Sequence, residues 1–153
     1  MEQFLRTELL IGKDNLNKLR EASVTVIGLG AVGSFAAEAL ARSGIGYFTL
    51  IDCDKIQITN INRQLYALHS TLGKLKTEAA RDRILDINPD CKVKTVNVFV
   101  DSQNLNVIFE NKPDIVIDAI DSFSPKAGLL EYCVKNNINV VSSMGAALKT
   151  DPS

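Results

Sequence analysis

Two carboxylates, an arginine and a lysine are the residues of this sequence best suited to act together. Asp52 ends the apolar run Tyr47–Ile51 and Asp54 follows it. The polar segment Asn60-Ile61-Asn62-Arg63-Gln64 comes next, with Lys76 beyond. Upstream, Val24-Thr25-Val26-Ile27 runs into Gly28-Leu29-Gly30-Ala31-Val32-Gly33. A Gly-x-Gly-x-x-Gly turn between strand and helix aims the helix's first N–H groups at an anion. The first two glycines let the backbone turn and approach a phosphate, and the third lets helix and strand pack closely. An acid about 20 residues further on, the place of Asp52, accepts the hydroxyls of a ribose.

A dinucleotide site uses the fingerprint and Asp52 but has no need of Asp54 or Arg63. A triphosphate site does. Arginine offers a planar fork that matches a phosphate, and lysine adds a mobile point charge. In-line attack at the α-phosphorus loads charge onto the leaving pyrophosphate, which Arg63 and Lys76 would neutralise. Asp54 also reads as a solvated turn residue, and Lys74, Lys76, Arg81 and Arg83 as a solvated helix face. Asp118 and Asp121 end a fourth strand, in Ile117-Asp118-Ala119-Ile120-Asp121-Ser122. An acid there is placed to hold magnesium between phosphates, or to cap the helix that begins near Pro125. Asp121 is the better metal candidate, and Asp118, inside the apolar run, reads either way.

The elements that must position these residues alternate along the chain. Helices are expected over 14–21, 34–43, 71–88, 104–111 and 125–136, and strands over 24–28, 47–52, 93–98, 114–119 and 139–143. Gly44 stops the second helix and Asn88-Pro89 the third. Apolar strands flanked by helices predict an α/β fold. It is Rossmann-like and doubly wound, a mainly parallel sheet with helices on both faces. Ligands in such sheets bind at the carboxyl ends of the strands, and every chemically suspicious residue falls there.

Composition narrows the function. Lys and Arg number 17 against 18 Asp and Glu, for a net charge of −1, so no global basic field advertises nucleic acid. No basic-then-apolar leader opens the sequence and no apolar run reaches about 18 residues, so a cytoplasmic protein with no membrane partner is expected. Cys53, Cys91 and Cys133 are widely spaced and form no Cys-x-x-Cys pair, so each is expected to be a small buried or half-buried residue. His69 is the single histidine and reads as a loop residue. The sequence stops at Asp151-Pro152-Ser153, just after a strand and a glycine loop. Residues 1–153 are therefore expected to be the amino-terminal part of a longer protein.

Taken in order, the motifs resemble the ThiF/MoeB/HesA adenylating family, bacterial relatives of ubiquitin-activating enzymes. The resemblance runs from Arg6 through Gly28-Leu29-Gly30, Asp52-Cys53-Asp54, Asn60-Ile61-Asn62-Arg63-Gln64, Gly73-Lys74-Leu75-Lys76 and Ile87-Asn88-Pro89 to Asp118-Ala119-Ile120-Asp121. Phe4-Leu5-Arg6-Thr7, Ala37 through Gly46, Lys126, Ser142 through Ala146 and Asp151-Pro152 resemble the branch that dehydrates threonylcarbamoyladenosine in tRNA.

The resemblance implies one ThiF-type ATP-binding domain in a homodimer that uses ATP and Mg2+. It implies that Gly28, Gly30, Ala31 and Gly33 contact phosphate or adenosine and that Asp52 holds the ribose. Asp54 and Asn62 fall within the same nucleotide-binding set, and Asn60, Arg63 and Gln64 orient the triphosphate. Lys76 contacts phosphate, Asp121 serves magnesium through ATP, and Arg6 reaches into the partner subunit's site. Arg63, Lys76 and Asp121 are the implied catalytic residues. Two departures stand out. Ala31 replaces a further glycine, and Ala147-Leu148 replaces a more polar pair.

The implied substrate is tRNA bearing threonylcarbamoyladenosine. Three alternatives remain at this stage. Adenylation of the terminal glycine of a ubiquitin-like sulfur carrier would bring a zinc Cys-x-x-Cys pair beyond residue 153. A nicotinamide-dependent dehydrogenase would need no magnesium. A nucleotide-binding module kept for dimerisation would do no chemistry.

Overall fold

The computed structural model describes residues 2–144. Five strands form one sheet in the order β3-β2-β1-β4-β5, every neighbouring pair parallel. They are β1 (Ser23–Ile27), β2 (Tyr47–Ile51), β3 (Lys92–Val96), β4 (Ile115–Asp118) and β5 (Val140–Ser142). The helices are α1 (Leu5–Ile11), α2 (Lys13–Glu21), α3 (Gly33–Ser43), α4 (Lys76–Ile87), α5 (Leu105–Ile108) and α6 (Phe123–Lys135). This is the doubly wound α/β arrangement. The strand order reverses between β1 and β4, which opens the crevice where ligands of such sheets bind.

Side-chain alternation along the central strands sorts the core into two layers. Val24, Val26, Phe48 and Leu50 face Ala37 and Ala41 of α3 and Ala80 and Ile84 of α4. Ile27, Ile51 and Val116 turn to the other face and meet Leu105, Phe109, Leu129 and Cys133. The alanines of α3 let that helix lie close on the sheet, and Gly44, at φ 99°, ends it in the left-handed conformation that favours glycine.

Three element expectations need correction. The helix expected over 71–88 begins only at Lys76. Gly73 sits at φ 81°, Leu75 is extended, and Leu75 bridges antiparallel to Lys55, so the chain is still a loop until Lys76. The helix expected over 104–111 is the single turn α5, because Phe109 dives into the core and stacks on Tyr132 at 5.6 Å between ring centroids. Helix α1 was not anticipated at all. Its leucines Leu5, Leu9 and Leu10 are exposed, so no core-facing stripe marks it. Among the described residues, no helix is long and apolar enough to cross a membrane.

Candidate nucleotide site

The three fingerprint glycines answer to different demands. A Cβ on Gly28, whose φ is 87°, would lie 2.7 Å from the Ala119 carbonyl oxygen. One on Gly33 would lie 1.7 Å from the Gly28 oxygen. Both glycines are required by the fold, since the loop, the start of α3 and the end of β4 touch backbone to backbone. A Cβ on Gly30 would meet only Gln64 Nε2, at an ordinary 3.8 Å. Nothing in the chain itself demands glycine there, and a ligand approaching the backbone would.

Asp52, at the carboxyl end of β2, has a side chain only 8% exposed. One carboxylate oxygen accepts the Leu29 N–H at 2.7 Å and the other accepts the Asp54 N–H at 2.8 Å. It therefore fixes the glycine loop on one side and the Cys53-Asp54 turn on the other, with a lone pair left on each oxygen for further donors. Lys76 opens α4 and its ammonium is almost wholly buried. It pairs with Asp54 at 2.7 Å and lies 3.9 Å from Asp52, while its backbone N–H donates to the Asp54 carbonyl. The Lys76 ammonium holds the Asp54 carboxyl below the usual carboxylate range. The donor atoms of Asp52, Cys53 and Asp54 cluster within 4.8 Å, and the charge gathered among them is that of Lys76.

The polar segment after Asp54 divides into anchors and displayed groups. Asn60 is buried and accepts the Gln57 N–H on its side chain, while its carbonyl accepts the N–H of both Arg63 and Gln64. Ser34, fully buried in the first turn of α3, accepts the Leu65 N–H at 3.1 Å and ties the segment to the fingerprint helix. So anchored, Arg63 stands exposed with its guanidinium resting on the Thr59 carbonyl and on Asn62. Gln64 is buried against Gly30. Ala31 is exposed at the mouth of the loop. Sequence reasoning missed Ser34. A lone serine in an alanine-rich helix beside a glycine turn was its only signal.

At the β4 end the two aspartates part company. Asp118 is wholly buried and held by three donors. It accepts Lys126 Nζ and the Ser142 hydroxyl, each at 2.6 Å, and the Ile120 N–H at 3.0 Å. Lys126 also donates to the Ser143 carbonyl at 2.9 Å. The network locks β4, α6 and β5 together and sets the turn that carries Asp121. Asp121 is exposed, and its one side-chain partner among the described residues is the Ser122 hydroxyl at 3.5 Å. An exposed carboxylate with no cation beside it among the described residues fits a hard metal ion such as magnesium, and buried Asp118, paired with Lys126, does not.

Arg6 is exposed on α1 and makes no ion pair among the described residues. His69 lies exposed in a short turn. Cys91 and Cys133 are buried as expected, but Cys53 is exposed, because its turn must display Asp54 on the surface. Partial desolvation in the turn and the flanking Asp54 push the Cys53 thiol up, away from a reactive thiolate. Gly145-Ala146, Ala147-Leu148 and Asp151-Pro152 lie outside the described residues.

The ThiF family profile matches residues 4–153. The chain is 49% identical over its full length to the tRNA threonylcarbamoyladenosine dehydratase of Bacillus subtilis and covers 60% of that protein. It is 51% identical to the Haemophilus influenzae dehydratase over 92% of the chain, covering 54% of that protein. Among solved structures it matches the Escherichia coli dehydratase TcdA in complex with ATP. The TM-score is 0.95 at 45% identity, covering 99% of this chain and 62% of that one. The chain thus spans little more than half the length of the curated relatives it matches.

Proposed function

We propose, since this chain belongs to the ThiF family, that it forms the ATP-binding part of an enzyme that dehydrates threonylcarbamoyladenosine in tRNA. The observation that carries the ATP half is Lys76, a buried ammonium held between Asp52 and Asp54 beside the glycine loop. A triphosphate carries more negative charge than the pyrophosphate of a dinucleotide and so gains more from that ammonium. The tRNA half is supported by relatives at 49% and 51% identity, both dehydratases acting on that substrate.

In this reading the carboxylate of the threonylcarbamoyl group attacks the α-phosphorus of ATP and pyrophosphate leaves. An atom of the same modification then attacks the acyl carbon, closing a ring and expelling AMP, so that water is lost overall. Gly28, Gly30 and Gly33 let the backbone reach the phosphates, with Ala31 at the rim, and Asp52 accepts the ribose hydroxyls. Asn60 holds the segment from which Asn62, Arg63 and Gln64 meet the triphosphate. Arg63 and Lys76 neutralise the leaving pyrophosphate. Asp121 would hold Mg2+, which supplies further charge neutralisation on the phosphates. No enzyme nucleophile is needed, in keeping with raised thiols at Cys53, Cys91 and Cys133. The protein acts as a cytoplasmic homodimer in which Arg6 of one protomer enters the partner's site.

The test is release of AMP and pyrophosphate by the full-length protein given ATP, magnesium and tRNA bearing the modification. Arg63→Ala should suppress turnover and leave the fold intact. Turnover on a ubiquitin-like sulfur carrier with none on tRNA would overturn the substrate assignment. Undiminished nucleotide binding in Arg63→Ala, with NAD as the preferred ligand, would overturn the ATP assignment.

A further inference from the structure

Among the described residues, one part of the sheet is not covered as a doubly wound sheet should be. On the face that carries α5 and α6, the carboxyl ends of β1 and β2 are packed by Leu105, Phe109 and Leu129. The amino-terminal halves of the same strands line a groove of about 390 Å³, with Thr25 buried at its floor, Ser23 and Thr49 half-buried and Tyr47 exposed at its edge. Its floor and edge are two cross-strand rows, each finishing in a lysine on edge strand β3. One is Ser23–Tyr47–Lys92 and the other Thr25–Thr49–Lys94. Lys112 lines the groove from the loop before β4.

The lining is chemically one-sided. It holds three lysines and no carboxylate, in a chain whose net charge is −1. None of the three lysines has a salt-bridge partner among the described residues. Lys92 lies 5.3 Å from the Tyr47 ring centre and Lys112 donates to the exposed Asn136 carbonyl, so both ammonium groups keep donors to spare. Asp114 is spent on Ser23, whose N–H and hydroxyl it accepts at 2.7 Å. Threonine hydroxyls where a covering helix would need apolar side chains argue against an apolar occupant. Hydroxyls backed by lysines suit an anionic, hydroxyl-rich chain.

We infer that this groove binds the ribose-phosphate backbone of the RNA substrate. Lys92, Lys94 and Lys112 would contact phosphates, and Tyr47 and Thr49 would offer hydroxyls to the sugar edge. The groove spans about three strand spacings from β3 to the β4 loop, roughly 14 Å, which is room for a nucleic-acid strand. It lies about 16 Å along β1 from the glycine loop, so a folded RNA can touch both the groove and the nucleotide crevice. This inference rests on the tRNA reading above.

The test uses the full-length protein and its Lys92→Gln/Lys94→Gln/Lys112→Gln variant, with tRNA binding measured from about 50 to 200 mM salt. Loss of three phosphate contacts should flatten the log–log salt slope by about 2 to 3 and weaken binding about tenfold or more at the low-salt end. ATP affinity should not move. A variant that binds tRNA with the affinity and salt slope of the wild type overturns the groove and leaves the dehydratase reading standing. A wild type that binds no tRNA overturns both. A variant that loses tRNA binding only because its oligomeric state has changed identifies the face as a contact between copies, and also overturns the inference.

Discussion

A single methyl group at Gly30 separates what the fold requires of the fingerprint from what the ligand requires. In Gly30→Ala the new Cβ touches only the end of the Gln64 side chain, at 3.8 Å, and Gly30 is not among the glycines with positive φ. Alanine at such a position stabilises a chain by about 0.4–1 kcal/mol through reduced freedom of the unfolded state. That corresponds to a rise of roughly 1–4 °C in melting temperature for a domain of this size. The same methyl stands where phosphate should meet backbone N–H groups. Losing one such charge-assisted hydrogen bond costs about 1.5–3 kcal/mol, or roughly 10- to 150-fold in ATP affinity. Gly33→Ala should do the reverse. Its Cβ would overlap the Gly28 oxygen at 1.7 Å, and relief needs a backbone shift costing about 3 kcal/mol or more. Thermal unfolding and ATP titration of both full-length variants decide the matter. Gly30→Ala that melts well below the wild type, or that binds ATP as tightly as the wild type, would refute the reasoning.

Three further outcomes are expected. Lys126→Met should destabilise the protein by about 3–5 kcal/mol in urea unfolding by stranding the buried Asp118 carboxylate, and adding Asp118→Asn should recover part of the loss; strictly additive effects would contradict a coupled pair. Arg83 and then Arg42 hold the Glu38 carboxyl below its usual range, so their stabilisation is full above about pH 4.3 and fades as pH falls through the lower folded value. Glu38→Gln should therefore cost about 0.5–1 kcal/mol at pH 7, after allowance for solvent screening at the half-exposed arginines, and should converge on the wild type in acid. Inactive Arg6→Ala and Lys76→Ala proteins, mixed and allowed to exchange subunits, should regain activity at about a quarter of their sites if Arg6 acts across the dimer, and none if it acts within its own chain.

The sheet was legible because β1, β2 and β4 are apolar runs bounded by glycine or aspartate, signals that survive without tertiary context. The placement of Asp52 and Asp121 just past the carboxyl ends of β2 and β4 followed from that alternation alone. What stayed hidden depended on partners distant in the chain. The start of α4 is set by the Lys55–Leu75 bridge, which local periodicity cannot report. The division of labour between Asp118 and Asp121 appears only when Lys126 and Ser142 arrive from α6 and β5. Asn60 reads as a ligand residue, and its pattern does not report that its side-chain oxygen also anchors the Gln57 backbone, because one asparagine side chain suits both tasks.

The order in which the strands are made carries a kinetic consequence. Central strand β1 pairs first with β2, its successor, but its other edge waits for β4, and Ser23 and Asp114 bond across 91 positions. A chain emerging from the ribosome can build the β1–β2–β3 half early while Val24 and Val26 still present an unpaired edge. Long-range parallel pairing is the slow step of such topologies. The rear wall of the glycine loop, the Ala119 carbonyl against Gly28, is delivered by that same late strand. Nucleotide competence should therefore appear late in synthesis. A stalled chain ending before β4 should be the form that chaperones must shield.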